Sequence, residues 1–173
     1  MADPKKAVFR IVINGTMEAV FRELTKTGEP QGAVFNSMLT LDAPGLVRGR
    51  KMQMRTVSGK HALVVGEVVE HEAPTRFAHT HRFTQYNDPF CTVVYDLKKV
   101  DGGVEVTLTV ENIPAGTGTE KEMMKGGDFI LGNLKSIVET GRPPLGTRRM
   151  YWMFGALEFV LPARTKSEHW PLN

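Results

Sequence analysis

The sequence holds a single cysteine, Cys91, in 173 residues, which excludes an internal disulfide and points to a reducing compartment. No apolar run reaches the ~18 residues a membrane span needs. The opening stretch, Met1-Ala2-Asp3-Pro4-Lys5-Lys6, lacks the apolar core of a signal peptide, and a cytoplasmic location is expected. Neither sign of charge dominates: 22 Lys and Arg face 19 Asp and Glu, for a net charge of +3. That balance, without a recognition motif, gives no reason to expect nucleic acid as a partner. Nucleotide and hydrolase signatures are missing too. Gly116-Thr117-Gly118 is not followed by the Gly-Lys-Ser/Thr of a phosphate loop, and neither a Gly-x-Ser-x-Gly elbow nor a His-Glu-x-x-His pair occurs. What is present is ordinary: 41% hydrophobic and 24% charged residues describe one globular domain.

The first apolar segment, residues 7–13, is β-branched and aromatic and reads as a strand. Asn14-Gly15 turns the chain, and Thr16 is placed to cap a helix whose Val20, Phe21 and Leu24 share one face. From residue 33 to 112 the period becomes two. Strands are expected near 34–41, 47–57, 61–71, 76–84, 91–100 and 104–112, separated by turn-formers such as Asp42-Ala43-Pro44-Gly45 and Asp101-Gly102-Gly103. In the last strand Val104, Val106, Leu108 and Val110 alternate with Glu105, Thr107, Thr109 and Glu111, the pattern of an antiparallel sheet with one covered face. A long helix is expected over 119–140. Thr119-Glu120-Lys121-Glu122 has the form of a capping box, and Met123, Ile130, Leu131, Leu134, Ile137 and Val138 form an apolar stripe. Gly126-Gly127 inside that helix costs ~1 kcal/mol per glycine relative to alanine, which suggests a kink or the close approach of another group. One α+β domain follows, a curved sheet wrapped around the last long helix.

Several segments carry a family resemblance: Val20-Phe21-Arg22-Glu23-Leu24-Thr25, Gly66-Glu67-Val68-Val69-Glu70, Pro74-Thr75-Arg76-Phe77, Tyr95-Asp96-Leu97 with Gly102-Gly103 and Thr107-Leu108-Thr109, and Leu134-Lys135-Ser136-Ile137-Val138-Glu139-Thr140-Gly141. In this order and spacing they resemble the START-like (SRPBCC) helix-grip superfamily, in the branch named after the activator of the heat-shock protein 90 ATPase. The resemblance implies a helix-grip domain over residues 7–141 and a deep cavity between sheet and helix that accepts apolar small molecules. Members range from lipid carriers to aromatic polyketide cyclases and co-chaperones, with no shared catalytic motif. The Gly-Trp pair that often opens the core of the last helix in this branch reads here as Gly126-Gly127, a loss of bulk near the implied cavity mouth.

Among residues able to do chemistry, His79 and His81 stand out. They alternate with Phe77 and Phe83 on one face of a strand. Two imidazoles on a covered face can bind a ligand oxygen, exchange protons near neutral pH or hold a metal, or they can be hydrogen-bonded half-core residues. A metal needs further ligands that the sequence does not fix, so no metal or cofactor is expected. Tyr95 lies among apolar neighbours and can orient a carbonyl or place its hydroxyl at a rim. Cys91 lacks any sign of thiolate activation and reads as packing. Arg48, Arg50, Lys51 and Arg55 form a basic run, most simply a solvated strand.

The leading expectation is non-catalytic binding of an apolar or amphipathic small molecule, with Phe77, His79, His81, Tyr95, Leu108, Met123, Ile130 and Leu134 lining the cavity. No residue is assigned a catalytic role. The alternatives are a cyclase- or dehydratase-like acid–base enzyme using His79 or His81, and an interaction protein of a chaperone or stress response. Residues 142–173 are expected to be an extension. Within it 147–161 reads as a short helix apolar on all sides, through Met150, Tyr151, Trp152, Met153, Phe154, Leu157, Phe159, Val160 and Leu161, and hence buried on all sides. Packing on the sheet or pairing into a homodimer ranks above a membrane surface, because Glu158 interrupts the face and the charge is small.

Overall fold

Alternating apolar residues build a single antiparallel sheet. The computed structural model describes residues 2–173. Its strands are β1 (Lys5–Ile13), β2 (Met38–Leu41), β3 (Lys51–Arg55), β4 (Ala62–Glu72), β5 (Arg76–Phe83), β6 (Cys91–Val100) and β7 (Gly103–Ile113), in the order β1-β7-β6-β5-β4-β3-β2. The helices are α1 (Met17–Thr25), α2 (Gly118–Thr140) and α3 (Leu145–Ala156). The long α2 lies across β1 and β7, and α1 packs on α2 and β6. This is the expected α+β helix grip. On β7, Val104, Val106, Leu108 and Val110 are buried while the residues between them are half exposed, as the alternation requires.

Two strands are shorter than their composition suggests. The segment expected to begin a strand at 34 is a tight turn, with Phe35 and Asn36 both in the left-handed region at φ +54°. The side chain of Gln31 fixes this turn by donating to the carbonyls of Leu24 (3.1 Å) and Lys26 (3.2 Å). Pairing therefore starts only at Met38. Likewise 47–50 is a turn, closed by Arg50 N–H to Val47 O with Gly49 at φ +86°. The Arg50 guanidinium serves the carbonyls of Pro44 and Gly45. The basic run is thus divided between a loop and β3.

The cap of α2 also differs from expectation. Thr117, not Thr119, is the N-cap; its hydroxyl accepts from Glu120 N–H, and the Glu120 carboxylate accepts from Gly116 N–H. Thr119 is instead held by Asp88, whose Oδ2 accepts from both its N–H (3.0 Å) and its hydroxyl (2.8 Å). Gly141, at φ +82°, closes the other end, in the usual manner of a left-handed C-terminal residue.

The largest correction concerns the tail. The apolar segment forms α3 and a 3₁₀ turn at Glu158–Val160, and it is not buried on all sides. Only one face meets the body, where Thr147 Oγ1 donates to Asn133 Oδ1 (2.9 Å) and Tyr151 OH donates to Gly32 O (2.8 Å). Trp152 remains 78% exposed and Phe159 80%. A helix apolar all round needs covering from every direction, and this chain covers α3 from one. The tail then clasps the β3–β4 hairpin and runs over the outer face of the sheet. Glu158 accepts from Thr56 (2.5 Å) and Ser58 (2.6 Å), Ser167 donates to Gly59 O, and Gln53 donates to Trp170 O (2.7 Å). No described helix is long and apolar enough to cross a membrane.

Candidate ligand-binding site

The register of the sheet lines the inner side of β5 with rings. Phe77 lies opposite Tyr95 on one side and His71 on the other, Tyr95 opposite Leu108, and Leu108 opposite Phe9. This row crosses five strands. The next row runs Val68, His79, Val93, Val110 and Ala7. Along β5 the rings of Phe77 and His79 lie 5.4 Å apart, those of His79 and His81 5.7 Å, and those of His81 and Phe83 4.7 Å. The Tyr95 ring is parallel to Phe77 at 6.5 Å. A bulge in β4 between Val68 and Glu70 brings His71 onto this face, where its ring stands 5.5 Å from Phe21.

All eight residues expected to line a cavity meet on the inner side of the grip. Phe77, His79, His81, Tyr95, Leu108, Met123 and Leu134 are buried, and Ile130 is half-buried. The six apolar or aromatic members belong to, or pack against, one continuous core. Surface recesses of about 400 and about 550 Å³ lie elsewhere: one beside Lys60, His61 and Lys166, the other between the outer faces of β3 to β5 and Trp170 to Leu172. The bulk missing at Gly127 opens no space, because the Phe9 ring fills it.

The imidazoles are the chemically unusual members of this core. His79 Nδ1 lies 2.9 Å from the carbonyl of Thr80. A carbonyl only accepts, so this nitrogen carries the proton and Nε2 presents a bare lone pair. That Nε2 is buried without a protein partner, as are both ring nitrogens of His81. Burial lowers the pKa of His79 to about 4. His81 is lowered as well, by burial first and by the neighbouring His79 second. Both rings are therefore neutral at pH 7. They form a pair of uncharged groups offering lone pairs and N–H in an apolar surrounding.

The remaining candidates are quieter. Burial pushes the Cys91 thiol up to about 11, and its Sγ donates to His81 O at 3.5 Å, so it is a packed, unreactive thiol. Burial also raises the Tyr95 phenol above its ordinary value. Glu70 pairs outward with Arg76, away from the histidines. Among the described residues no three His, Cys, Asp or Glu side chains gather as a metal site would require.

Three contributors have no signature in the sequence. His71 joins the ring row only through the β4 bulge. Tyr86 closes the His81 end, its ring 6.1 Å from Phe83 and pressed on Gly118 at the start of α2. Asp88 ties the same loop to Thr119. Asn87-Asp88-Pro89 is legible as a turn, but its partner lies 31 residues away.

Comparison with known proteins gives the following. The profile of the family described as "Activator of Hsp90 ATPase homolog 1-like protein" matches residues 8–139. Among solved structures, the Aha1 dimer from Colwellia psychrerythraea is similar at a TM-score of 0.61 and 18% identity, covering 79% of this chain and 98% of that one. PFC0360w, an HSP90 activator from Plasmodium falciparum, is similar at 0.60 and 21%, covering 82% and 99%. DynU16, a protein of the dynemicin biosynthetic locus, is similar at 0.62 and 19%, covering 80% of this chain and 48% of its own. At these identities the likeness is one of fold. No curated protein matches the sequence.

Proposed function

The chain belongs to the family of Activator of Hsp90 ATPase homolog 1-like proteins, and from that premise we propose that it binds, without catalysing a reaction, an apolar small molecule bearing a hydroxyl group. The observation that carries this reading is the set of three partnerless ring nitrogens on His79 and His81. Each such buried group costs about 1–3 kcal/mol, and an apolar residue of similar size at either position would avoid the cost. A ligand hydroxyl offsets it by donating to His79 Nε2, while His81 donates to or accepts from the same oxygen or a neighbouring one. Phe77, Tyr95, Leu108, Met123, Ile130 and Leu134 then meet the apolar body of the ligand. Methionine is suited to making room, since it repacks at low cost, and Met52, Met54 and Met123 all belong to this core.

The acid–base alternative is less well supported. A proton carrier works best with a pKa near the operating pH, and His79 sits at about 4. The interaction reading rests on the family description and on the Plasmodium activator. Pairing into a homodimer rests on the dimeric Colwellia relative. The division into a 7–141 grip and a 142–173 extension is supported by a family match that ends at residue 139.

Native mass spectrometry of the chain purified from its own host tests the proposal, alongside a His79→Phe/His81→Leu variant. The wild type is expected to carry a small-molecule adduct that the variant lacks. The variant, freed of unpaired buried nitrogens, is expected to be about 2 kcal/mol more stable than the ligand-free wild type. A wild type that carries no adduct, and whose imidazole NMR signals stay fixed on titration with decanol, overturns the proposal.

A further inference from the structure

Residues 142–157 contain three cations, Arg142, Arg148 and Arg149, and no Asp or Glu. In α3 the inward side is occupied by Thr147 and Tyr151, which are hydrogen-bonded to the body. The outward side places Leu145, Arg148, Arg149, Trp152 and Met153 at helical spacings of three and four, all of them exposed. The following turn adds Phe159 and Val160, 80% and 63% exposed. The two grounds for ranking a membrane surface last change in the folded chain. Glu158 does not interrupt this face, because its carboxylate is engaged by Thr56 and Ser58 on the β3–β4 hairpin. The small net charge of the whole chain also conceals a segment that is purely cationic.

We propose that this face docks the protein on an anionic lipid surface. The helix α3 lies in the headgroup plane, Trp152, Met153, Phe159 and Val160 enter the acyl boundary, and Arg148 and Arg149 meet the phosphates. Charge complementarity selects this occupant over a second copy of the chain. A two-fold pairing through α3 apposes the same patch to itself, which gathers Arg148 and Arg149 of both copies in one interface with no carboxylate in 142–157 to neutralise them. An anionic headgroup layer supplies the missing sign, and aromatic side chains favour the boundary beneath it. At 12 residues, α3 lies on such a surface and does not cross it.

The test uses the full-length chain with vesicles of equimolar phosphatidylcholine and phosphatidylserine, and vesicles of phosphatidylcholine alone. Co-flotation with the anionic vesicles is expected, with a blue shift of Trp152 emission read in a Trp170→Phe background. Trp152→Ser/Phe159→Ser abolishes binding. Arg148→Gln/Arg149→Gln weakens it about thirtyfold, as does neutralising any two juxtamembrane cations. All four side chains are exposed, so an unchanged circular dichroism spectrum confirms that each variant folds. The proposal is overturned by absence of binding to anionic vesicles, by equal binding to neutral ones, or by full binding of the Trp152→Ser/Phe159→Ser chain. A dimer in sedimentation that this double variant dissociates, with no vesicle binding by the wild type, assigns the face to a second copy and overturns it equally.

Discussion

The ring of Phe9 on β1 occupies the space that a side chain at residue 127 of α2 would need: a Cβ built on Gly127 would lie 2.1 Å from Phe9 Cδ2. This close approach explains a glycine in the middle of the longest helix. Gly127→Ala gains about 1 kcal/mol of helix propensity but forces the ring aside in a packed setting, where overpacking costs about 1–3 kcal/mol. A net loss of about 1 kcal/mol is expected in urea denaturation. In a Phe9→Ala background the same substitution should become stabilising. Additive effects of the two changes would refute the contact.

Acid should destabilise the fold through the histidine pair. Above pH 6.5 His79 is neutral in both folded and unfolded chains and contributes nothing. Below it the unfolded chain, at the ordinary value of 6.5, takes up a proton that the folded chain, at about 4, refuses. Stability therefore falls between pH 6.5 and pH 4 and levels off beneath, by about 3 kcal/mol for His79 alone. His81 acts in the same direction. The urea midpoint should fall across this window, and the fall should be smaller in the His79→Phe/His81→Leu chain. Equal falls in the two proteins would show that the imidazoles are not held neutral.

Asp88 fastens the β5–β6 loop to the first turn of α2. Asp88→Ala removes two hydrogen bonds and a negative charge near a helix N-terminus, and should cost about 1–2 kcal/mol. Asp88→Asn keeps an acceptor and should cost less. Amide exchange at Thr119 is expected to accelerate in the alanine variant while exchange in β6 and β7 keeps its rate.

The sheet and the His79–His81 face were legible because both depend on local rules. Period-two alternation fixes which side chains share a face, and Asp-Gly-Gly fixes where a strand must turn. Local rules do not reach a residue that answers to a distant partner. Nothing near Thr119 announces Asp88, and the true cap, Thr117 with Glu120, has the same residue types within three positions of it. The turn at 34–37 carries the apolar composition of a strand, and its cause, the Gln31 amide bonding back to Leu24 and Lys26, has no periodic trace. In the tail, composition showed an apolar helix but could not show how many surfaces the fold would offer it. The unpaired state of the His79 and His81 nitrogens was likewise invisible, since it depends on every neighbour at once.

The order of the strands has a consequence for how the chain becomes a protein. From β2 to β7 each strand pairs with its neighbour in sequence, so that meander can assemble hairpin by hairpin as it emerges. β1 pairs only with β7, a closure spanning nearly a hundred residues of intervening chain. During synthesis the first strand is thus the last to be seated, after residue 113 has appeared and as α2 arrives to cover both. Non-local closures of this kind slow folding. Until that moment Ala7, Phe9 and Ile13 stand without their covering, and the interval between the first strand and the last is when the nascent chain depends most on its surroundings.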